Sequence, residues 1–428
     1  MGVVAVVGAG AGRLPGDVAA VLERYTACTG DAESQYVAGW EGATWADGDA
    51  GAGGDAVVTA AGEAQMRALG GWLRRYVGVE GGLTWAAAGD GACSGSGAAF
   101  AAGWGEAVPP TSATPAASAR QRTFASAAQA DAVLAPARGV LYTGSGDGEA
   151  MQRAAFKVRS QLERVMAAVG TPVVAATGVP LHADDAPDEA VGGMLAAMPA
   201  VLAALQCERA WPATARASRQ LVPPLARLEG STSVPAAAHP VAPHADASLP
   251  PSRAGTPLCH VRHTLGDRLT ANDEAFLRHA AWWVADQTFY TAPGAKGAAP
   301  ARGGALLAEV VSALAAPASA TTTAFIVPPE SLHGLLAALR CRRGPAHALG
   351  PGALVVAEAW VDGTHAPTVR IWLVEDPFPA TAGGDPACLH LDAATRVVDD
   401  VSLAALADLT ARWRATPAPT APKSYGSL

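Results

Sequence analysis

Val3 to Val7 reads Val-Val-Ala-Val-Val, an apolar and mostly β-branched run at the head of the sequence. A strand with one wet face alternates apolar and polar side chains. A run without alternation fits a strand covered on both faces, the form found inside α/β sheets. The loop that follows, Gly8-Ala9-Gly10-Ala11-Gly12-Arg13-Leu14-Pro15, is rich in glycine. A glycine loop after a strand invites a dinucleotide-binding reading. The third glycine of that fingerprint falls on Arg13, Pro15 interrupts the next turn, and no second strand ending in an acid follows about 20 residues on. The chain also holds no G-x-x-x-x-G-K-[ST] loop and no cysteine followed six residues later by arginine.

Further segments carry a different resemblance. Val58-Thr59-Ala60-Ala61-Gly62-Glu63-Ala64-Gln65, continued by Leu69-Gly70-Gly71-Trp72-Leu73-Arg74-Arg75-Tyr76, is similar to L-T-x-x-G-x-x-Q…L-G-x-x-L-R-x-R-Y, one residue short near its end. Arg122 to Ala127 is similar to R-T-x-x-S-A, Val179-Pro180-Leu181-His182 to a P-V-H strand, and Arg302 to Leu307 to R-x-G-P-L-L. Leu335 to Leu339, Gly352 to Trp360 with Val369 to Val374, and Ser402 to Leu409 follow in order. Together with the opening strand, set against V-V-x-R-H-G-x-R-x-P, these segments resemble the histidine acid phosphatases along most of the chain. The stretches at about 80–118 and 210–262 fit poorly.

The resemblance implies a phosphohistidine mechanism, and its site positions can be checked one at a time. Such chemistry needs an imidazole in line with phosphorus, several guanidinium groups on the equatorial oxygens, and an acid for the leaving alcohol. Ala9 and Gly10 stand on the arginine–histidine pair; a one-residue shift puts Gly8 and Ala9 there. The second arginine is aligned six residues before R-T-x-x-S-A, on Ala116, and the aspartate of that motif on Ala119. The distal His-Asp pair falls on Pro328 and Pro329, which carry no proton and no backbone donor. Arg13 is kept in the first register only. Each lost charge-stabilising donor costs roughly 2–4 kcal/mol, so one arginine does not replace a cluster. Glu330 and His333, just past the lost pair, are residual candidates for a relocated acid or base; His333 also reads as a residue of the following helix, beside Leu332 and Leu335.

Other motifs yield little. Cys259-His260-Val261-Arg262-His263 matches no common zinc spacing. His239 and His244 sit in a Pro/Ala segment, and Gly144 to Gly148 reads as a turn before a helix. No metal and no cofactor is expected. The 428 residues carry a net charge of −8, which argues against nucleic acid as a partner. No apolar run approaches the roughly 20 residues of a membrane span. Charged residues are 16% of the chain, against about a quarter in ordinary domains, a composition that suits packing among other proteins. Members of the resembled family are commonly secreted or lumenal. Here the first core strand begins at Val3, position 6 is Val6, and the six scattered cysteines (Cys28, Cys93, Cys207, Cys259, Cys341, Cys388) read as reduced and mostly buried.

The expected architecture is a three-layer α/β/α core with a mostly parallel sheet and an inserted, mainly helical lobe. Residues 1–182 form the first part of the core and 300–428 the second. Residues 183–299 form the lobe, with a Pro/Ala/Ser linker at 231–257. Within this plan Met66, Leu69, Leu73 and Tyr76 mark a helical face, 81–118 a long loop, and Glu149–Val169 one amphipathic helix. Thr270 opens a helix with a capping box. Thr321–Val327 is a strand, and Val355–Trp360 with Val369–Val374 an antiparallel pair around Asp362-Gly363. The function expected is that of a catalytically inactive phosphatase-like subunit of an intracellular assembly, cytoplasmic, cytoskeletal or ciliary, or organellar, with other proteins as partners. Two alternatives stand beside it: a phosphomonoester hydrolase rebuilt around Arg13, Glu330 and His333, and a non-catalytic sensor of a small phosphate ligand.

Overall fold

Val3 to Val7 lies near the middle of a sheet, every residue buried, as its unbroken apolar run requires. The computed structural model describes residues 2–10, 58, 60–78, 82–106, 119–138, 140–141, 148–169, 188–209, 269–291, 295–316, 321–341, 349–360, 366–378, 389 and 394–415. Arg13, Ala116, Val179 to His182, Asp362-Gly363, Cys259 to His263 and the 231–257 linker lie outside them.

The strands are β1 (Gly2–Gly8), β2 (Gly82–Ala87), β3 (Ala119–Gln121), β4 (Thr321–Val327), β5 (Leu354–Trp360), β6 (Thr368–Val374) and β7 (Thr395–Ser402). They form one sheet in the order β3-β2-β4-β1-β5-β6-β7. β3, β2, β4 and β1 run parallel. From β1 onward the pairings to β5, β6 and β7 are antiparallel. The sheet is therefore mixed: parallel on one side of β1, and on the other an antiparallel meander that contains the expected β5–β6 pair.

The helices are α1 (Ala60–Val77), α2 (Gly91–Glu106), α3 (Ala127–Leu134), α4 (Gly148–Lys157), α5 (Arg159–Val169), α6 (Asp188–Arg209), α7 (Ala271–Asp286), α8 (Ala295–Ala315), α9 (Pro329–Ala338) and α10 (Leu403–Ala415). A π-helical turn, Gln287–Thr291, follows α7. α1 packs on α2 to cover one face of the sheet, while α8 gathers α3, α9 and α10. A second hydrophobic cluster joins Ala137 and Leu141 to α4, α5, α6, α7 and Phe289. The packing of the helical lobe thus reaches back to residue 137, earlier than the boundary at 183 drawn from sequence, which itself falls outside the described residues.

Residues 82–106 hold β2 and α2, where the sequence suggested a loop. The Gly/Ala content there serves close packing. A Cβ on Gly70 of α1 would overlap the Phe100 carbonyl of α2, and a Cβ on Gly103 would overlap the Arg67 carbonyl of α1. The two helices touch backbone to backbone, and Phe100 and Trp104 are fully buried beside the crossing. Gly303 of α8 and Gly334 of α9 make the same kind of crossing on the other layer.

Two smaller expectations change. Met66, Leu69 and Leu73 are buried, but Tyr76 is 46% exposed and stacks on Trp72 at 5.0 Å. The helix expected over Glu149–Val169 is broken at Val158, whose N–H donates to Ala155 three residues back. The Thr270–Asp273 capping box is present as read.

The backbone contact between α1 and α2 generates a stability prediction. Gly70→Ala should destabilise the fold by about 1–3 kcal/mol in chemical denaturation, the usual cost of overpacking. Gly105→Ala, where nothing lies within 4 Å of the added methyl, should be neutral or slightly stabilising.

Candidate functional site at the carboxyl edge of the parallel strands

Ligand sites in α/β sheets form where parallel strands end, outside their carboxyl edges. β1 and β4 end side by side, with Gly8 opposite Val327. The Ala9 N–H donates to the Val327 carbonyl at 2.9 Å, and the Ala88 N–H after β2 donates to Ile326 at 3.0 Å. The positions that the resemblance singled out, Ala9 with Gly10 and Pro328 with Pro329, are therefore neighbours in space, brought together from opposite ends of the chain.

Ala9 is 8% exposed, and its carbonyl accepts from the Gly352 N–H at 3.1 Å. Gly10 has no room for a side chain: an added Cβ would stand 2.7 Å from the Gly62 carbonyl oxygen and 2.9 Å from Met66 Cγ. Its own N–H donates to the buried Ser96 hydroxyl at 3.1 Å. α1 and α2 close over Gly10, and one backbone donor that an anion could use already has a partner.

Across the edge, Pro328 caps α9 without a side-chain hydrogen bond and Pro329 is its first residue. Helix N-termini attract anions through free N–H groups and the helix dipole. Neither proline offers an N–H, and the Ser331 N–H donates to the Pro328 carbonyl at 2.9 Å. The buried Glu330 carboxylate occupies the same first turn, where negative charge is favoured.

The nearby charges form a set that sequence reading did not single out. Asp90, just before α2, accepts from the Cys93 N–H at 2.5 Å and from Arg138 at 2.6 Å. Arg138 also donates to Asp131 at 3.0 and 3.3 Å, and Asp131 accepts from the Gly89 N–H at 2.7 Å. One guanidinium is thus held between two carboxylates. Burial, reinforced by Asp90, pushes the Cys93 thiol well above its ordinary pKa, which makes it a poor nucleophile. Arg122, at the carboxyl end of β3, is the other cation passed over. It heads the R-T-x-x-S-A segment, which was the available signal. Its Nη1 lies 2.7 Å from Glu309, and its guanidinium stands 5.3 Å over the Phe124 ring.

The residual candidates serve different neighbours. The charge of Glu330 acts on Cys93. His333, one turn along α9, stacks on Phe289 with ring centroids 5.7 Å apart, and burial holds its imidazole down at about 4. It lines a narrow cleft with Trp282, Asp286, Tyr290 and Glu375, on the side of the helical lobe. Arg13 lies outside the described residues. Among the described residues no group of histidine, cysteine, aspartate and glutamate is arranged to hold a metal ion, and no helix is long and apolar enough to cross a membrane.

No protein-family model matches the chain, and no curated protein matches it in sequence. Solved structures do match. The chain is similar to the phytase of Citrobacter braakii, with a TM-score of 0.54 at 14% identity over 96% of each chain. It is similar to the Hafnia alvei phytase in complex with myo-inositol hexakis sulphate, with a TM-score of 0.53 at 14% identity over 96% of each chain. It is also similar to the Klebsiella sp. ASR1 phytase, with a TM-score of 0.50 at 14% identity over 87% of this chain and 82% of that one. The fold is that of the histidine acid phosphatase-like phytases.

His333 generates a pH prediction with a definite sign. The unfolded chain takes up the imidazole proton near pH 6.5, about the value of a free histidine. The folded chain does so only at about pH 4. Between these values the unfolded state holds more protons, so stability is full above the window and falls on acidification through it. The loss should be about 2 kcal/mol, below the full displacement because part of the ring meets solvent. His333→Phe keeps the stacking on Phe289 and should flatten this part of a urea-denaturation pH profile.

Proposed function

We propose that this chain carries a phosphatase fold without phosphatase chemistry, and works as a non-catalytic binding or structural subunit of an intracellular protein assembly. The observation that carries the reading is the edge between β1 and β4. Ala9, Gly10, Pro328 and Pro329 supply neither nucleophile nor proton there, and the space beside Gly10 is filled by Gly62 and Met66. Phosphoryl transfer depends on concentrated positive charge around the equatorial oxygens. Arg138 and Arg122, two described cations on the segments that follow β2 and β3, are each tied to carboxylates. An intracellular setting fits the buried, unbridged thiol of Cys93.

The second reading is a hydrolase with a rebuilt site around Arg13, Glu330 and His333. It has the phytase likeness in its favour. Against it, His333 stacks on Phe289 on the side of the helical lobe.

One assay separates the two. The full chain should release no phosphate above the buffer blank from p-nitrophenyl phosphate or myo-inositol hexakisphosphate between about pH 4 and 8, a range that brackets the histidine titration. Arg13→Ala should match the unaltered chain. Turnover by the unaltered chain that disappears in Arg13→Ala would overturn the proposal in favour of the hydrolase.

A further inference from the structure

The helical lobe has a hydrophobic core of its own. Met151, Leu162, Met194 and Leu277 bring α4, α5, α6 and α7 together around it, apart from the cluster that holds the sheet. Among the described elements these four helices pack chiefly on one another. The π-helical turn Gln287–Thr291 is what packs at once on α7 and on α8 and α9 of the core. Phe289 of that turn and Ala337 of α9 both belong to the lobe's cluster. Other ties are made by single side chains. Gln206 of α6 donates to the Leu349 carbonyl at 3.5 Å, and Arg278 of α7 stands 4.0 Å from Asp376. Both are long for the bonds they make. Arg138 adds a shorter tie, 2.6 Å to Asp90.

The turn is gripped from a fixed base. α8 and α9 cross backbone to backbone, since a Cβ on Gly303 would overlap the Gly334 carbonyl. Arg302 and His333 are the residues just before those two glycines, so one crossing locks the helices and delivers both side chains to one place. Arg302 donates to the Thr288 carbonyl at 2.5 Å, and its guanidinium lies 5.8 Å from the centre of the Phe289 ring. His333 stacks on the same ring, with centroids 5.7 Å and planes 18° apart. Phe289 is fully buried in this grip. Single π-helical turns are rare and concentrate at functional positions. Beside this one lies the narrow cleft, with Trp282 and Tyr290 on its lobe side and Leu349 and Leu373 on its sheet side. The joint therefore has a pivot, a catch and a gap.

We propose that the lobe turns as one body about this π-helical turn, widening the cleft, and that the grip of Arg302 and His333 on Phe289 sets how often it does so. A unit with its own core and a narrow joint to the rest opens at lower free energy than the whole. Hinges take up the backbone change in a few residues at element ends, where this turn sits. The inference goes beyond the reading of the chain as a binding subunit and does not depend on whether the chain turns over phosphate.

The test places nitroxide labels on the full chain through an encoded keto amino acid, which leaves the cysteines untouched. One pair spans the joint, Ser160 of α5 with Ala404 of α10; a second lies within the lobe, Ser160 with Ala275 of α7. All three positions are exposed. Distances are read by double electron–electron resonance near neutral pH. Arg302→Ala should raise the population of a second distance across the joint by about tenfold, the loss of a cation–π contact and a charged donor together. His333→Ala should raise it by about threefold or more, the loss of one ring contact. His333→Phe keeps a ring on Phe289 and should match the unaltered chain. The pair within the lobe should keep one distance throughout.

A distance across the joint that neither alanine variant moves overturns the proposal. A change that appears equally within the lobe overturns it as well, because the lobe then unravels rather than turns. If Arg302→Ala does not fold, the unaltered chain decides in urea below its unfolding transition, where buried apolar contacts weaken. There the distance across the joint should shift first and the distance within the lobe hold. Loss of both together overturns the proposal.

Discussion

β1 is held on both sides, parallel to β4 and antiparallel to β5. It is the strand at which the sheet changes sense, and its carboxyl end is tied to the strands on both sides. Gly8 donates to Ala353, Ala9 donates to Val327, and Gly352 donates back to Ala9. Those three bonds fix where Ala9 and Gly10 sit. α1 and α2 then pack down on that point, with Gly62, Met66 and Ser96 against Gly10. The Gly70 and Gly103 crossing brings the two helices close enough to do so. Larger side chains at the crossing would hold them apart, and the cover over the strand end would lift.

The proposed non-catalytic reading has a physical basis in this arrangement. The sheet is stabilised by burial of Val3 to Val7, Phe325 and Ile326, and by helices laid on both faces. None of that depends on a histidine or an arginine at the strand ends. A cluster of guanidinium groups without its anion is a self-repelling feature that a fold must carry at a cost. At the described edge of this chain Arg138 is held between Asp90 and Asp131, and Glu330 adds a carboxylate at the start of α9. Among the described residues, Gly62 and Met66 fill the space that a side chain on Gly10 would need.

What could be read from the sequence was what is local and periodic. β1, β4 and the β5–β6 pair announce themselves as β-branched runs, α1 as a helical stripe, and α7 by the Thr270 capping box. The juxtaposition of Ala9 with Pro328 was legible only through the resemblance, since nothing local joins residues more than three hundred positions apart. β2 and α2 were missed because glycine and alanine signal a loop by composition, whereas here they allow one helix to touch another. β7 was missed because its mixed, half-exposed sequence lacks a clear alternation and its pairing with β6 is irregular. The Asp90–Arg138–Asp131 set and the grip of Arg302 and His333 on Phe289 have no sequence signature, because each depends on where separate helices come to rest.

The central claim is that the carboxyl edge of the parallel strands does not hold a tetrahedral oxyanion. Isothermal titration calorimetry of tungstate into the full chain at about pH 5 measures this without assuming any substrate. The account predicts heats indistinguishable from dilution. A saturable one-to-one isotherm with a Kd below about 100 μM, lost in Arg13→Ala, would contradict it.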